Sequence, residues 1–195
     1  TFHNILQKRL SMGVALLQQL NADHKVMARI LYCLQTQIKG LEDPDFLVHT
    51  PQILDILDYI SYVPERWHHP IEDLIFKRML ERAPPHPSHI VAVLNEHEGL
   101  EQLTEELKLA FNQVATDSSV PISHLYQTAT IYLTRQLMHL DAEETALFPM
   151  AQELLTESDW NELEVLADDI MHDDEPFTHD SYDQLRDSIL NFEQE

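Results

Sequence analysis

The scarcity of glycine is the feature of this sequence that most restricts its fold. Only three of the 195 residues are glycine, and Gly13, Gly40 and Gly99 lie far apart. Phosphate-binding loops need glycines clustered at a turn, so nucleotide-binding folds of the Rossmann and P-loop types are excluded. The sequence is instead rich in leucine, glutamate, glutamine and alanine, which favour helices. These observations predict an all-α protein.

Prolines and apolar spacing divide the sequence into amphipathic segments. Apolar residues recur at intervals of three and four, which is typical of helices, and no segment alternates with the period of a strand. Pro64, Pro70 and Pro149 should kink or break the helices that contain them. The predicted long helices cover about 6–41, 51–82, 88–114 and 121–155, and two short helices cover 159–170 and 182–192.

Four long helices with short connections favour an antiparallel four-helix bundle. No linker divides the sequence, and 195 residues are enough for one core. We therefore expect a single domain over residues 1–195. Its bundle core would cover about 12–157, and the short C-terminal helices over about 158–195 would pack outside the bundle.

Charge and cysteine content restrict the partners and the compartment. Twelve lysines and arginines stand against 34 aspartates and glutamates, which gives a formal net charge of −22. Such a chain repels phosphate backbones and anionic bilayers, so we expect neither a nucleic acid nor a membrane partner. No apolar run is long enough for a membrane span, and no segment has the pattern of a signal peptide. The single cysteine, Cys33, fits a reducing, cytoplasmic location.

Two stretches of the sequence repeat one arrangement of histidine and acidic residues. Residues 68–76 read HHPIEDLIF, and residues 139–148 read HLDAEETALF. In each stretch a histidine precedes a glutamate by four residues, so the two side chains lie one turn apart on the same helix face. That face also carries apolar residues, which predicts that it points into the core. The pairs are His68 with Glu72 and His139 with Glu143.

The first and third helices each carry one histidine on an equivalent apolar face. These residues are His24 and His97. Burying four imidazoles and two carboxylates without compensation would offset much of a typical stability of about 5–15 kcal/mol. Metal ions remove this cost, because both residue types bind metals in their deprotonated forms. The predicted metal ligands are His24, His68, Glu72, His97, His139 and Glu143.

The mixture of imidazoles and carboxylates indicates the class of metal. Calcium and magnesium prefer oxygen ligands, and a structural zinc site has four ligands that usually include cysteine. Imidazoles and carboxylates in a bundle core are the setting of dinuclear iron or manganese. We expect two iron ions (Fe²⁺/Fe³⁺) bridged by two carboxylates and an oxo or hydroxo group, with manganese or zinc as substitutes.

Several neighbouring side chains have two interpretations. His69 lies about 100° around the helix from His68, which favours a surface or outer position, although a local change of register could exchange the two. Glu101 could be an additional ligand or could hold a metal-bound water. Asp73 and Glu144 are expected outside the ligand set, but Glu144 stays a candidate ligand.

With these motifs the chain resembles the hemerythrin-like HHE cation-binding family. The resemblance covers roughly residues 12–175, and its most specific pieces are HHPIED at 68–73, EH at 96–97 and HLDAEE at 139–144. It implies a four-helix bundle with a non-haem diiron centre. The family's two His-x-x-x-Glu pairs and its single histidines of the first and third helices map onto the six predicted ligands.

One departure from the oxygen-carrying hemerythrins bears on function. Those proteins have a second histidine one turn from the histidine of the third helix, whereas Val93 and Glu101 occupy these positions here. The chain then has four ligand histidines where the carriers have five. The resemblance therefore points away from reversible O₂ carriage and towards relatives that store iron, sense oxygen or redox state, or respond to nitric oxide.

These features lead to three hypotheses. The first is a dinuclear iron protein that binds O₂, nitric oxide or peroxide for sensing, iron storage or detoxification. The second is a diiron oxidoreductase that reduces peroxide or nitric oxide, or oxidises Fe²⁺. The third is a metal-free helical interaction module whose histidines are polar core residues. A homodimer, paired through a stripe on a terminal helix, is also open.

Overall fold

The computed structural model describes residues 2–116, 121–172 and 176–192, and all secondary structure within them is helical. The predicted all-α fold class is therefore confirmed. No helix in these ranges is long and apolar enough to cross a lipid bilayer. In chain order the elements are α1 (Phe2–Gly40), α2 (Thr50–Val63), a first π-helical turn (Pro64–His68), α3 (His69–Glu81), α4 (Pro87–Thr116), α5 (Ile122–Ala142), a second π-helical turn (Glu143–Leu147), α6 (Phe148–Leu154), α7 (Glu157–His172) and α8 (Pro176–Phe192).

Four long helical rods form the bundle. The first rod is α1 and the third is α4, while the second joins α2 to α3 and the fourth joins α5 to α6, each through a π-helical turn. Outside the bundle, α7 packs against α1 and α3, and α8 packs against α1 and α2. The last helix begins at Pro176, earlier than the predicted start at 182. Proline suits a first helical position, because its fixed φ is already helical and it needs no hydrogen-bonded N–H.

Each π-helical turn ends two residues before a proline. A proline ring collides with the carbonyl group four residues earlier in a regular α-helix. For Pro70 and Pro149 these carbonyls belong to Arg66 and Thr145, which lie inside the two π-helical turns. The wider turn accommodates the ring while the helix continues. The local break that the prolines predict is therefore a π-helical turn in each of the two helices.

The bundle core has two apolar layers, one on each side of a polar layer. The polar layer holds the buried histidines and glutamates, and along α1 it lies at His24. The first apolar layer, towards the α2 end of the bundle, includes Ile30, Leu34, Ile53, Ile56, Leu57 and Phe111. The second apolar layer, towards the α6 end, includes Leu17, Leu20, Ile75, Phe76, Met79 and Ile90. Apolar side chains thus shield the polar layer from water along the bundle axis.

A buried carboxylate connects α7 to the bundle. Asp159 is fully buried and accepts hydrogen bonds from Arg78 Nη1 at 2.9 Å and Arg82 Nε at 3.1 Å. It also accepts hydrogen bonds from the backbone N–H and hydroxyl of Thr156 at 2.9 and 2.7 Å, while its own N–H donates to the Thr156 hydroxyl. This reciprocal arrangement starts α7 at Glu157. The hydrogen bond from Arg82 is the largest cause of the lowered pKa of Asp159.

Asp159→Asn should destabilise the fold at neutral pH by about 2 kcal/mol, because it removes a helix cap and the carboxylate that pairs with the two arginines. A lowered carboxyl pKa contributes stability above the ordinary carboxyl range, and this contribution is lost as pH falls through the folded-state pKa. The difference in unfolding free energy between wild type and variant should therefore shrink below pH 4. Urea titrations at pH 7, 3.5 and 2 test this, with the main loss expected between pH 3.5 and 2; an equal difference at all three would contradict it.

Candidate metal centre

Five imidazoles and two carboxylates converge in the polar layer. α1 and α4 contribute one imidazole each, the second rod contributes two imidazoles and a carboxylate, and the fourth rod contributes one of each. None of the seven residues is more than 7% exposed. They are His24, His68, His69, Glu72, His97, His139 and Glu143.

One end of this layer is formed by His24 and His68. Their Nε2 atoms lie 2.9 Å apart, and Glu72 Oε1 lies 3.2 Å from the first and 3.0 Å from the second. Ligand bonds of about 2.1 Å place neighbouring ligands of one octahedral ion about 3 Å apart. The spacing of these three atoms therefore fits a single cation.

The other end is formed by His69, His97 and His139, grouped with the same Glu72. One ligand atom from each of these residues lies within 4.8 Å of all the others. Glu72 Oε2 is 3.6 Å from His97 Nε2, while Glu72 Oε1 faces His24 and His68. Glu72 thus presents one oxygen to each end, which is the arrangement of a bridging carboxylate.

Glu143 spans the two ends in a similar way. Its Oε1 is 3.3 Å from His97 Nε2, and its Oε2 lies 3.4 Å from His139 Nε2 and 3.5 Å from His24 Nε2. Because these nitrogens belong to both groups, Glu143 can bridge them as Glu72 does. The second π-helical turn begins at Glu143, and the first ends at His68.

The polar layer leaves buried acceptor atoms without hydrogen-bond partners within the described residues. These atoms are Glu72 Oε2, Glu143 Oε2 and His139 Nε2. A buried polar atom without a partner costs about 1–3 kcal/mol, and more when it carries charge. All three atoms belong to metal-binding functional groups and point towards the centre of the cluster. The donor set therefore fits metal ions, which would bind these atoms.

Every imidazole of the cluster has a carboxylate at its outer nitrogen. The Nε2 atoms of His24, His68, His97 and His139 face the two central carboxylates. The Nδ1 atom of each of the five imidazoles lies within hydrogen-bond distance of an acidic side chain. The outer pairs are His24 with Glu144 at 3.2 Å, His68 with Asp23 at 3.3 Å, His69 with Glu65 at 3.0 Å, His97 with Asp73 at 2.9 Å and His139 with Glu96 at 3.4 Å. Such partners make Nδ1 the protonated nitrogen, which leaves the Nε2 lone pair free for a metal.

Four of these pairs form a closed circuit around the bundle. Asp23 of the first rod meets the second rod, Asp73 of the second meets the third, Glu96 of the third meets the fourth, and Glu144 of the fourth meets the first. We call this arrangement the carboxylate circuit. Each of its acids is the sequence neighbour of a cluster residue. Each rod therefore both supplies the cluster and orients an imidazole of the next rod.

Burial and neighbouring charges separate the pKa values of the two central carboxyls. Burial, reinforced by the charge of Glu72, raises the pKa of Glu143 to about 8. Burial also acts to raise the pKa of Glu72, but the His68 charge and hydrogen bonds from His24 and His68 outweigh it and lower that pKa well below its ordinary value. Without a metal, Glu72 is the ionised member of the pair and Glu143 holds a proton at neutral pH.

The pKa values of the imidazoles are also separated, with some raised and others lowered. Burial alone would lower the pKa of His68. The charge of Glu72 and the hydrogen bonds to Asp23 and Glu72 outweigh the effect of burial and raise this pKa to about 10. Burial, followed by the charge of His97, lowers the pKa of His69 well below its usual range and that of His139 to about 3. His69 and His139 are therefore neutral imidazoles, the form that binds metals.

The structure brings the six predicted ligands together and adds His69. The expectation of one inward imidazole per rod, and of four in all, is wrong for the second rod. A layer that is wide enough for two cations receives side chains about 100° apart, so His68 faces one end while His69 faces the other, with its ring stacked 4.2 Å from that of His97. Glu101 is exposed and lies outside the cluster, whereas Glu144 contacts His24 from outside.

The family comparison covers this whole region. The profile described as hemerythrin HHE cation binding domain matches residues 15–151, which is more than half of the chain and includes every residue of the cluster. Comparisons with curated proteins and with solved structures give no significant match. The family profile and the buried histidine–glutamate groups both indicate cation binding.

Proposed function

Because the chain belongs to the hemerythrin HHE cation-binding family, we propose that it holds two iron ions in the polar layer and binds O₂, nitric oxide or peroxide there. His24 and His68 would hold one ion, and His69, His97 and His139 the other. Glu72 and Glu143 would bridge them. When bound, the iron pair supplies redox chemistry and open coordination positions for a small ligand. The biological use would be sensing, storage or detoxification.

The observation that carries the proposal is the convergence of five buried imidazoles on two carboxylates that each face both groups. Two carboxylates as close as this repel each other in a low-dielectric core, and one cation between them removes the repulsion. Imidazole with carboxylate favours iron or manganese over calcium and magnesium. The protein's acidic character adds a general attraction for cations.

The unequal number of imidazoles at the two ends favours ligand binding at one end. With two bridging carboxylates and a bridging oxo or hydroxo group, the three imidazoles of His69, His97 and His139 would fill the remaining positions of a six-coordinate ion. At the other end His24 and His68 would supply only two imidazoles, which would leave one position for a small ligand. The fifth imidazole, His69, makes the donor set as rich in histidine as the set that the resemblance gives for oxygen carriers, although it comes from a different helix.

The chain's own residues prepare the site in two ways. The outer carboxylates hold a proton on each Nδ1, so that Nε2 is the nitrogen available to a metal. At His68, which is cationic without a metal, the metal would displace the Nε2 proton. Phe148 stacks on His24 at 5.3 Å, and Phe76 lies 6.4 Å from His97, so aromatic rings of the second apolar layer cover the cluster from one side. This cover limits water access, while a small neutral gas passes through apolar packing readily.

The direct test is the metal content of protein purified without chelators from iron-supplied cells, combined with absorption spectra. We expect about two iron atoms per chain and near-ultraviolet bands that bleach with dithionite and return in air. The double variant His97→Ala, His139→Ala should hold one iron or none. The control variant His124→Ala changes an exposed histidine on α5 and should bind as much iron as the wild type. Protein without bound metal, and unchanged after anaerobic addition of Fe²⁺, would overturn the proposal.

Consumption of substrate separates the two iron hypotheses. A sensor or binding protein changes its spectrum once when one equivalent of peroxide or nitric oxide is added. An oxidoreductase consumes many equivalents per chain when a reductant is present. Stopped-flow spectra with one and fifty equivalents of each compound distinguish these outcomes.

A further inference from the structure

A cavity adjoins the metal cluster on the outside of the bundle. It has a volume of about 750 Å³ and lies between the first two rods and the outer helices α7 and α8. This volume is within the range of sites for small organic molecules. Its inner wall includes Asp23 and His68, the carboxylate and imidazole of one outer pair. The cavity therefore meets the cluster through its hydrogen-bonded shell rather than through the ligand atoms.

The charges around this cavity favour a cation. Asp23, Glu164, Asp168 and Asp183 line it, and the lining residues that can carry positive charge are His68, His172 and Arg186. Arg186 is already paired, because its guanidinium donates to Asp183 at 2.7 Å and to Asp187 at 2.9 Å. The four carboxylates outnumber the cations of the lining even when both histidines are counted as charged.

The rest of the lining is apolar and aromatic. Leu20, Met27 and Ile71 contribute aliphatic and thioether surface, and Tyr59, Trp67 and Tyr182 contribute rings. Aromatic faces attract cations as well as apolar groups, most strongly where water is excluded. Burial raises the pKa of Tyr59 to about 12, so its hydroxyl remains a donor. An inorganic ion would leave the apolar surface unused, whereas an organic cation satisfies both the charge and the surface.

We propose that this cavity binds an organic cation with an apolar body, of the alkylammonium type, and that its occupancy is coupled to the metal centre through Asp23. The coupling rests on the proposed function. Asp23 is 39% exposed, so an ammonium group in the cavity can reach it. An ammonium group paired with Asp23 competes with His68 Nδ1–H for the same carboxylate.

The sign of the coupling follows from the charge of the metal ions. Ions held at His68 Nε2 and its neighbours would place additional positive charge about one imidazole ring away from Asp23, which would reduce the attraction of Asp23 for the ammonium group. Metal loading should therefore weaken organic-cation binding, and by reciprocity the organic cation should weaken metal binding by the same factor.

Two fluorescent probes that differ only in the charged end of a five-carbon chain test the cavity. Dansylcadaverine carries an ammonium, and 6-(dansylamino)hexanoate carries a carboxylate. We expect dansylcadaverine to bind about tenfold more tightly, with enhanced dansyl emission and energy transfer from tryptophan. Glu164→Gln should weaken its binding about threefold. Asp169→Asn removes an equal charge from an exposed position on α7 outside the lining, and should change the affinity little.

The outcomes separate the parts of the proposal. Equal affinity for the two probes, or equal effects of Glu164→Gln and Asp169→Asn, would overturn the cavity assignment and indicate general attraction by an acidic protein. Iron-loaded protein should bind dansylcadaverine about fivefold more weakly than chelator-treated protein, and Asp23→Asn should reduce that difference. If the wild type binds iron and the probe without this difference, the coupling is wrong. If the wild type binds the probe but no iron, the proposed function fails and the cavity assignment stands.

Discussion

Saturation with iron should raise the midpoint of thermal unfolding by about 10 °C, and Glu143→Gln and Glu72→Gln should each remove most of that rise. A ligand at a thousand times its dissociation constant stabilises the folded state by about 4 kcal/mol. For a chain of this size, each kcal/mol raises the midpoint by about 2–4 °C. Either substitution removes a bridging carboxylate, so it should abolish binding of at least one ion. Calorimetry of iron-loaded and chelator-treated protein provides the measurement.

The same two substitutions should have opposite effects on the chelator-treated protein. Glu143 has a raised pKa, so it opposes folding increasingly as pH rises from about 5 to 8, and Glu143→Gln should stabilise the protein by about 2 kcal/mol at pH 7.5. Glu72 has a lowered pKa and pairs with His68, so Glu72→Gln should destabilise by about 3 kcal/mol. Exposed Glu153→Gln is the control for charge alone. Destabilisation by both bridging variants would contradict this assignment of charge.

Removing one acid of the carboxylate circuit should weaken iron binding by about 10–100-fold without removing any ligand. Glu96 and Glu98 both flank His97 in the sequence, but it is Glu96 that lies 3.4 Å from His139 Nδ1, while Glu98 is exposed. Glu96→Gln should allow His139 to adopt the tautomer with its proton on Nε2, which competes with the metal. Anaerobic competition with a coloured Fe²⁺ chelator measures the loss.

Glu98→Gln is the matched control, because it makes the same change one position beyond the same histidine. Its iron affinity should stay within about twofold of wild type. A parallel pair, Asp73→Asn against Asp141→Asn, tests the circuit at its shortest contact, the 2.9 Å from Asp73 to His97. Equal losses from the circuit acids and the control acids would show that net charge, and not imidazole orientation, sets the affinity.

Helical spacing was sufficient to predict most of the cluster. His68 with Glu72 and His139 with Glu143 are four residues apart on apolar faces, and the structure places all four side chains in the core. His24 and His97 follow from the same argument. This succeeds because burial in a bundle depends on which side of its helix a residue occupies, and a period of 3.6 residues reports that directly.

The remaining features depend on relations between helices, which spacing along one helix does not contain. His69 was expected outside the ligand set because it lies about 100° around the helix from His68, whereas the polar layer receives the two side chains in two separate groups. The carboxylate circuit requires knowledge of which rods are neighbours. Its signal was nonetheless present, since an acid directly precedes His24 and His97 and directly follows Glu72 and Glu143.

The carboxylate circuit should also delay metal binding until a late stage of protein synthesis. Its last contact joins Glu144 to His24, across 120 residues of sequence. At roughly 5–20 residues per second, on the order of ten seconds pass between the synthesis of these two residues. Until then His24 lacks its outer carboxylate, and the two histidine groups of the polar layer lack the bridging carboxylate of Glu143. A ribosome-bound chain that ends before Glu143 should therefore bind iron weakly, so that metal loading marks a chain whose fourth rod is complete.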